Sequence, residues 1–96
     1  MEEYNVQIGQ VVYSKQGRDK GTYFIVYKII DSNYVEIVDG KIRKLENPKK
    51  KKLKHLTLKP QVMLKVADKI KSGTTIFDNE IKGGLKVFNK DNEEGD

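Results

Sequence analysis

The sequence predicts a mainly β domain, a small barrel of five short strands followed by a short α-helical extension. Three observations carry that reading. From Ile8 to Leu58 the apolar residues fall in short runs of Val, Ile, Tyr and Phe, the types that strands favour. Groups of turn-forming residues break those runs at short intervals, as in small all-β folds. Beyond Pro60 the apolar spacing lengthens to that of a helix.

Taken in order, Val11, Val12 and Tyr13 make the first strand, closed by the loop Lys15 to Gly21. Tyr23 to Ile30 is apolar at its odd positions and at most of its even ones, as a strand buried on two sides, or one bent across two halves of a barrel, would need. Asp31-Ser32-Asn33 is a turn, because these side chains bond nearby backbone. Tyr34 to Val38 follows as the third strand. Asp39-Gly40 has the composition of a two-residue hairpin turn, so Ile42 to Leu45 is expected to return as the fourth strand. Residues 46–52 read as a polar loop, and Leu53 to Leu58 as the fifth strand.

Pro60 suits the first position of a helix, where its missing N–H costs nothing. Val62, Val66 and Ile70, with Met63 and Ala67, then recur at helical spacing until Ser72-Gly73 ends the run. A second helix is expected from Asp78, an apt N-cap, with Phe77, Ile81, Leu85 and Phe88 as its apolar stripe. Its Gly83-Gly84 pair costs roughly 2 kcal/mol relative to two alanines unless close packing needs it. The acidic stretch Asp91 to Asp96 has no apolar residue and is expected to be disordered. The organisation expected is a barrel over residues 1–59, a helical extension over 60–90 packed on or beside it, and a tail over 91–96.

The charge is unevenly distributed. The 96 residues carry a net charge of +5. Residues 1–40 balance at −2 and residues 61–96 at −1, whereas residues 41–60 hold nine basic side chains against one acidic. A polyanion would be held at that stretch. With no cysteine, thiolate metal sites, disulfides and cysteine nucleophiles are excluded, and His55, the single histidine, cannot build a metal site alone. No cofactor is expected. The first residues, Met1 to Tyr4, lack the apolar core of a secretory signal, and no apolar run approaches the roughly 20 residues that span a bilayer. A soluble, cytoplasmic protein without a membrane partner is expected.

The stretch Ile8-Gly9-Gln10-Val11-Val12-Tyr13-Ser14-Lys15-Gln16-Gly17-Arg18-Asp19-Lys20-Gly21 resembles the KOW motif. The order that follows sharpens the likeness: Tyr23 to Ile30, Asp31-Ser32-Asn33, Tyr34 to Val38, Asp39-Gly40, a basic run, then Lys54-His55-Leu56. Over residues 8–58 this resembles the fourteen-e family of large-subunit ribosomal proteins and its small bacterial relatives, KOW-domain RNA-binding proteins. The resemblance implies an SH3-like barrel whose loops bind ribosomal RNA, in a ribosomal or ribosome-associated role in translation.

Two segments are the candidate RNA contacts. In the loop, Gly17 and Gly21 allow sharp turns and a close approach to a sugar-phosphate chain. Lys15, Arg18 and Lys20 would meet its oxygens, Arg18 with a two-pronged contact. Asp19 would orient the loop or pair with Arg18. The second segment combines Arg43 and Lys44 with Lys49, Lys50, Lys51, Lys52 and Lys54. Its lysines bind phosphate as point charges, contacts that position a nucleic acid without reading its sequence. His55 is out of phase with Leu56 and Leu58, so it faces away from the core, as an ordinary surface side chain or one touching RNA. Among the aromatics, core packing accounts for most. Tyr23 and Tyr34, at strand starts beside loops, are the candidates for stacking on bases.

No catalytic constellation emerges, since nucleophile-and-base pairs, paired carboxylates and phosphate-binding glycine motifs are all lacking, and an enzyme is not expected. The partner expected is RNA, above all ribosomal RNA or the large subunit, with a neighbouring protein available to the C-terminal helices. The rival reading is a protein-interaction module, since SH3-like barrels also bind peptides and KOW domains serve in transcription elongation; fold alone does not choose between them.

Overall fold

A computed structural model describes residues 5–93, with side chains described for residues 5–89. The chain is mainly β. Strands β1 (Gln10–Ser14), β2 (Tyr23–Ile29), β3 (Tyr34–Val38), β4 (Lys49–Lys52) and β5 (Leu56–Val62) form one antiparallel sheet in the order β4-β3-β2-β1-β5. A 3-10 turn at Leu53–His55 joins β4 to β5, and helices α1 (Leu64–Ser72) and α2 (Asp78–Glu93) follow.

The doubly apolar pattern of β2 has a direct cause. Phe24 and Val26 face one side of the sheet with Val12, Val35 and Ile37, and Leu53 and Leu56 complete that cluster. Ile25 faces the other side with Val11 and Val38, where Val66 of α1 and Ile81 and Leu85 of α2 cover it. Both faces of the central strands are therefore sheltered. Each such Val, Ile or Phe contributes on the order of 1.5–3 kcal/mol by leaving water. At the start of β2, Asn89 of α2 accepts the Tyr23 amide at 2.9 Å and donates to its carbonyl at 3.3 Å. One side-chain amide thus pairs with a strand end as a neighbouring strand would.

Several expectations are corrected. The sheet is not closed into a barrel: β4 and β5 are its two edges. Leu53 of the turn that carries the chain between them, and Leu56 at the start of β5, pack into the inner cluster. Ile42 to Leu45 is not a strand. The Asp39 carboxylate accepts the amides of Lys41, Ile42 and Arg43 at 3.0, 3.0 and 2.8 Å, which takes from those residues the groups a ladder needs. Asp39-Gly40 therefore opens a wide loop instead of a two-residue hairpin.

The lysine run, expected as a loop, is strand β4, paired with β3 from Tyr34↔Lys52 to Ile37↔Lys49. An edge strand needs backbone pairing more than apolar side chains, and periodicity cannot register that. Pro60 lies in β5, so the boundary expected at residues 59–60 falls inside a strand. Its missing N–H is tolerated because β5 is an edge.

At the start of α2, Glu80 Oε1 accepts the Phe77 amide at 3.0 Å, while Asp78 Oδ1 accepts the amide of Leu45 at 2.8 Å. Asp78 thus ties the 39–48 loop to the helix and is not its cap. Phe77, expected in the apolar stripe, is 64% exposed, whereas Ile81 and Leu85 are buried. At Gly84 a Cβ would press on the Met63 methyl, the end of a flexible side chain that packs there. Helix α2 runs to Glu93, so the stretch expected to be disordered from Asp91 begins within it, and residues 94–96 lie outside the described residues.

Candidate nucleic-acid interface

The two basic segments, separated by some twenty residues of sequence, are stitched together. Lys51 sits opposite Val35 and is 8% exposed. A lysine so placed must keep its ammonium hydrogen-bonded, and its Nζ donates to the Gln16 carbonyl at 2.7 Å. Arg43 reaches the loop from the other side, with Nε and Nη2 both 3.1 Å from Asp19 Oδ2. Asp19 is 5% exposed and its partner is Arg43, not Arg18. A third tie runs from the Lys15 amide to the His55 carbonyl at 2.9 Å. Gly17 and Gly21 have φ of +89° and +94°, the left-handed geometry the loop's turns demand.

Arg43 and Lys51 are therefore spent on holding the loop against the sheet. The side chains of Lys15, Arg18, Lys20, Lys49, Lys50 and Lys54 stand exposed around that junction, with Lys52 half-buried. Alternation along β4 puts Lys50 and Lys52 on the same side as Tyr34 and Glu36. Their ammonium groups lie 4.6 and 6.0 Å from the Tyr34 ring centroid. Tyr34 is thus covered by cations, while Tyr23 packs between Tyr13 and Phe88, with centroids 4.9 and 5.3 Å away.

His55 reports the local field. Its imidazole is held below the ordinary histidine range by partial desolvation and then by the ammonium groups of Lys52, Lys51, Lys54 and Lys15. Two of these come from β4, one from the 3-10 turn and one from the loop, so the cations act on a common point. Among the described residues the only ion pairs are Arg43–Asp19 and Lys69–Glu80. Phosphate is the natural complement to such a surface.

Lys44 is separate from this junction. It lies with Lys41 and Lys82 beside α2, in a groove whose helical lysines no sequence pattern singled out. Only the loop's return onto α2 brings them together. Among the described residues no group of three or more His, Asp or Glu side chains is arranged to hold a metal ion. No helix among them is long and apolar enough to cross a membrane. The chain matches no protein-family model and no curated protein.

Proposed function

We propose that the protein binds RNA through the junction of the 15–21 loop, strand β4 and the Leu53–His55 turn, as a cytoplasmic ribosomal or ribosome-associated factor of the KOW type. The observation that carries this reading is the internal pinning of the basic segments. Lys51 and Arg43 give up their own binding capacity, and Lys15, Arg18, Lys20, Lys49, Lys50, Lys52 and Lys54 are thereby held on a stiff scaffold. A merely solvated charge run needs no such support. Preorganised cations lose less entropy on meeting a rigid polyanion, which favours structured RNA over a flexible chain. The ribosomal setting rests on the resemblance over residues 8–58.

The test is RNA affinity against salt, followed by fluorescence anisotropy with a structured ribosomal RNA fragment. Contact with about five phosphates lowers affinity on the order of a hundredfold between 50 and 200 mM salt. Lys49→Glu with Lys54→Glu, both exposed, should cost at least tenfold and flatten the salt slope by roughly two contacts. Unchanged affinity and slope in that variant would remove the proposal. Sedimentation of a cell extract at low and moderate salt tests the setting: co-migration with the large subunit is expected, and a protein that stays at the top in low salt is not ribosome-associated.

A further inference from the structure

We infer that the groove between the 39–48 loop and helix α2 is a second nucleic-acid site, one that takes a single unpaired strand. Three adjoining cavities of about 220, 570 and 490 Å³ share Lys41 and Lys82 in their walls. Lys86 adds a third ammonium and Lys44 a fourth. None of the four has an ion-pair partner among the described residues. The two acids beside them are turned to backbone: Asp39 to three amides of its own loop, Asp78 to that of Leu45. Lys82 and Lys86 lie one helical turn apart, close to the separation of successive phosphates along an extended strand.

Gly83 supplies the independent observation. It lines the groove on α2, and a Cβ there would meet no atom within 4 Å. Its neighbour Gly84 makes room for Met63, but Gly83 makes room for nothing in the protein. A mid-helix glycine without a packing role destabilises the helix, and it leaves the backbone bare, where another chain could approach it closely. At one end of the groove Phe77 stands 64% exposed beside Lys44. Cations along an open groove with an exposed aromatic ring beside them are the parts of a single-strand site: the ammonium groups track phosphates and the ring stacks a base. An acidic peptide would use the lysines and leave Phe77 idle.

The site is separate from the β4 junction, so each can fail alone. Labelled decauridylate, decathymidylate and a ten-residue oligoglutamate are titrated by anisotropy at 50 mM salt against wild type, Gly83→Leu, Phe77→Ala, Lys82→Glu with Lys86→Glu, and Lys49→Glu with Lys54→Glu. Gly83→Leu fills the groove while improving the helix, so its melting temperature should equal or exceed wild type as its oligonucleotide affinity falls at least tenfold. The Lys82/Lys86 variant should lose a similar factor, and Phe77→Ala roughly five- to a hundredfold. The Lys49/Lys54 variant should keep most of its affinity for these short strands. Tighter binding of the uridylate identifies RNA as the source of the strand, and tighter binding of the thymidylate identifies DNA. Failure of wild type to bind either strand, wild-type binding by Gly83→Leu, or equal binding of oligoglutamate would overturn the inference.

Discussion

Replacing Asp19 or Arg43 separately, and then together, tests whether the loop is held as described. Asp19 is 5% exposed and the Arg43 side chain 24% exposed, so the pair lies between a surface ion pair and a fully buried one. The first kind is worth about 0–1 kcal/mol, and breaking the second costs about 3–5. Asp19→Ala strands the more accessible charge, which can turn to water, and should cost about 2 kcal/mol. Arg43→Ala strands the less accessible one, a carboxylate with little water around it, and should cost about 3 kcal/mol. In a domain of this size 1 kcal/mol moves the melting temperature by about 4–8 °C, so the two variants should melt roughly 8–16 and 12–24 °C below wild type. The double replacement leaves no stranded charge and should be more stable than Arg43→Ala alone. Thermal and urea unfolding measure all three. Single variants within about 0.5 kcal/mol of wild type, or a double variant at the sum of the singles, would mean that the pair does not hold the loop.

Four further outcomes are expected. Gly40→Ala should cost about 3 kcal/mol by urea unfolding, because φ is +78° and a Cβ would lie 2.2 Å from the Asp78 carbonyl oxygen; Gly83→Ala, facing open space, should instead gain up to about 1 kcal/mol. The depressed His55 pKa means that the unfolded chain takes up its proton first as pH falls, so stability from this group declines below about pH 6.5. Phosphates bound among Lys15, Lys52 and Lys54 should raise the His55 midpoint and strengthen RNA binding in mild acid. An NMR titration in which RNA leaves that midpoint unmoved counts against the β4 junction as the contact.

The first three strands were legible because their apolar residues face two clusters, and Asp31 accepts the Asn33 and Tyr34 amides as its turn composition implies. Other elements were hidden for distinct physical reasons. Lys49 to Lys52 form a strand through backbone pairing with β3, and no side-chain pattern records that. Asp39-Gly40 has the composition of a tight hairpin; the wide loop follows from contacts between residues, the Asp39 carboxylate on the 41–43 amides, Gly40 against α2 and the Arg43 bridge to Asp19. The basic character of residues 41–60 pointed to the β4 junction, but not to which lysines are free. Lys51 and Lys50 are indistinguishable in sequence and differ only by the pleat. The groove was invisible, since Lys82 and Lys86 read as the ordinary polar face of a helix.

The two edges of the sheet are guarded against strand addition by different means. On β5 the guard is Pro60, whose missing N–H is permanent. On β4 it is the charge of four successive lysines, which is conditional. Acetylation, or exchange of the run for glutamines, leaves the ladder groups of that edge intact and removes the repulsion that keeps another strand away. Self-association of the folded protein should therefore begin at β4 and track the charge of Lys49 to Lys52. A nucleic acid laid along that run would take over the guard, covering the edge while it neutralises it.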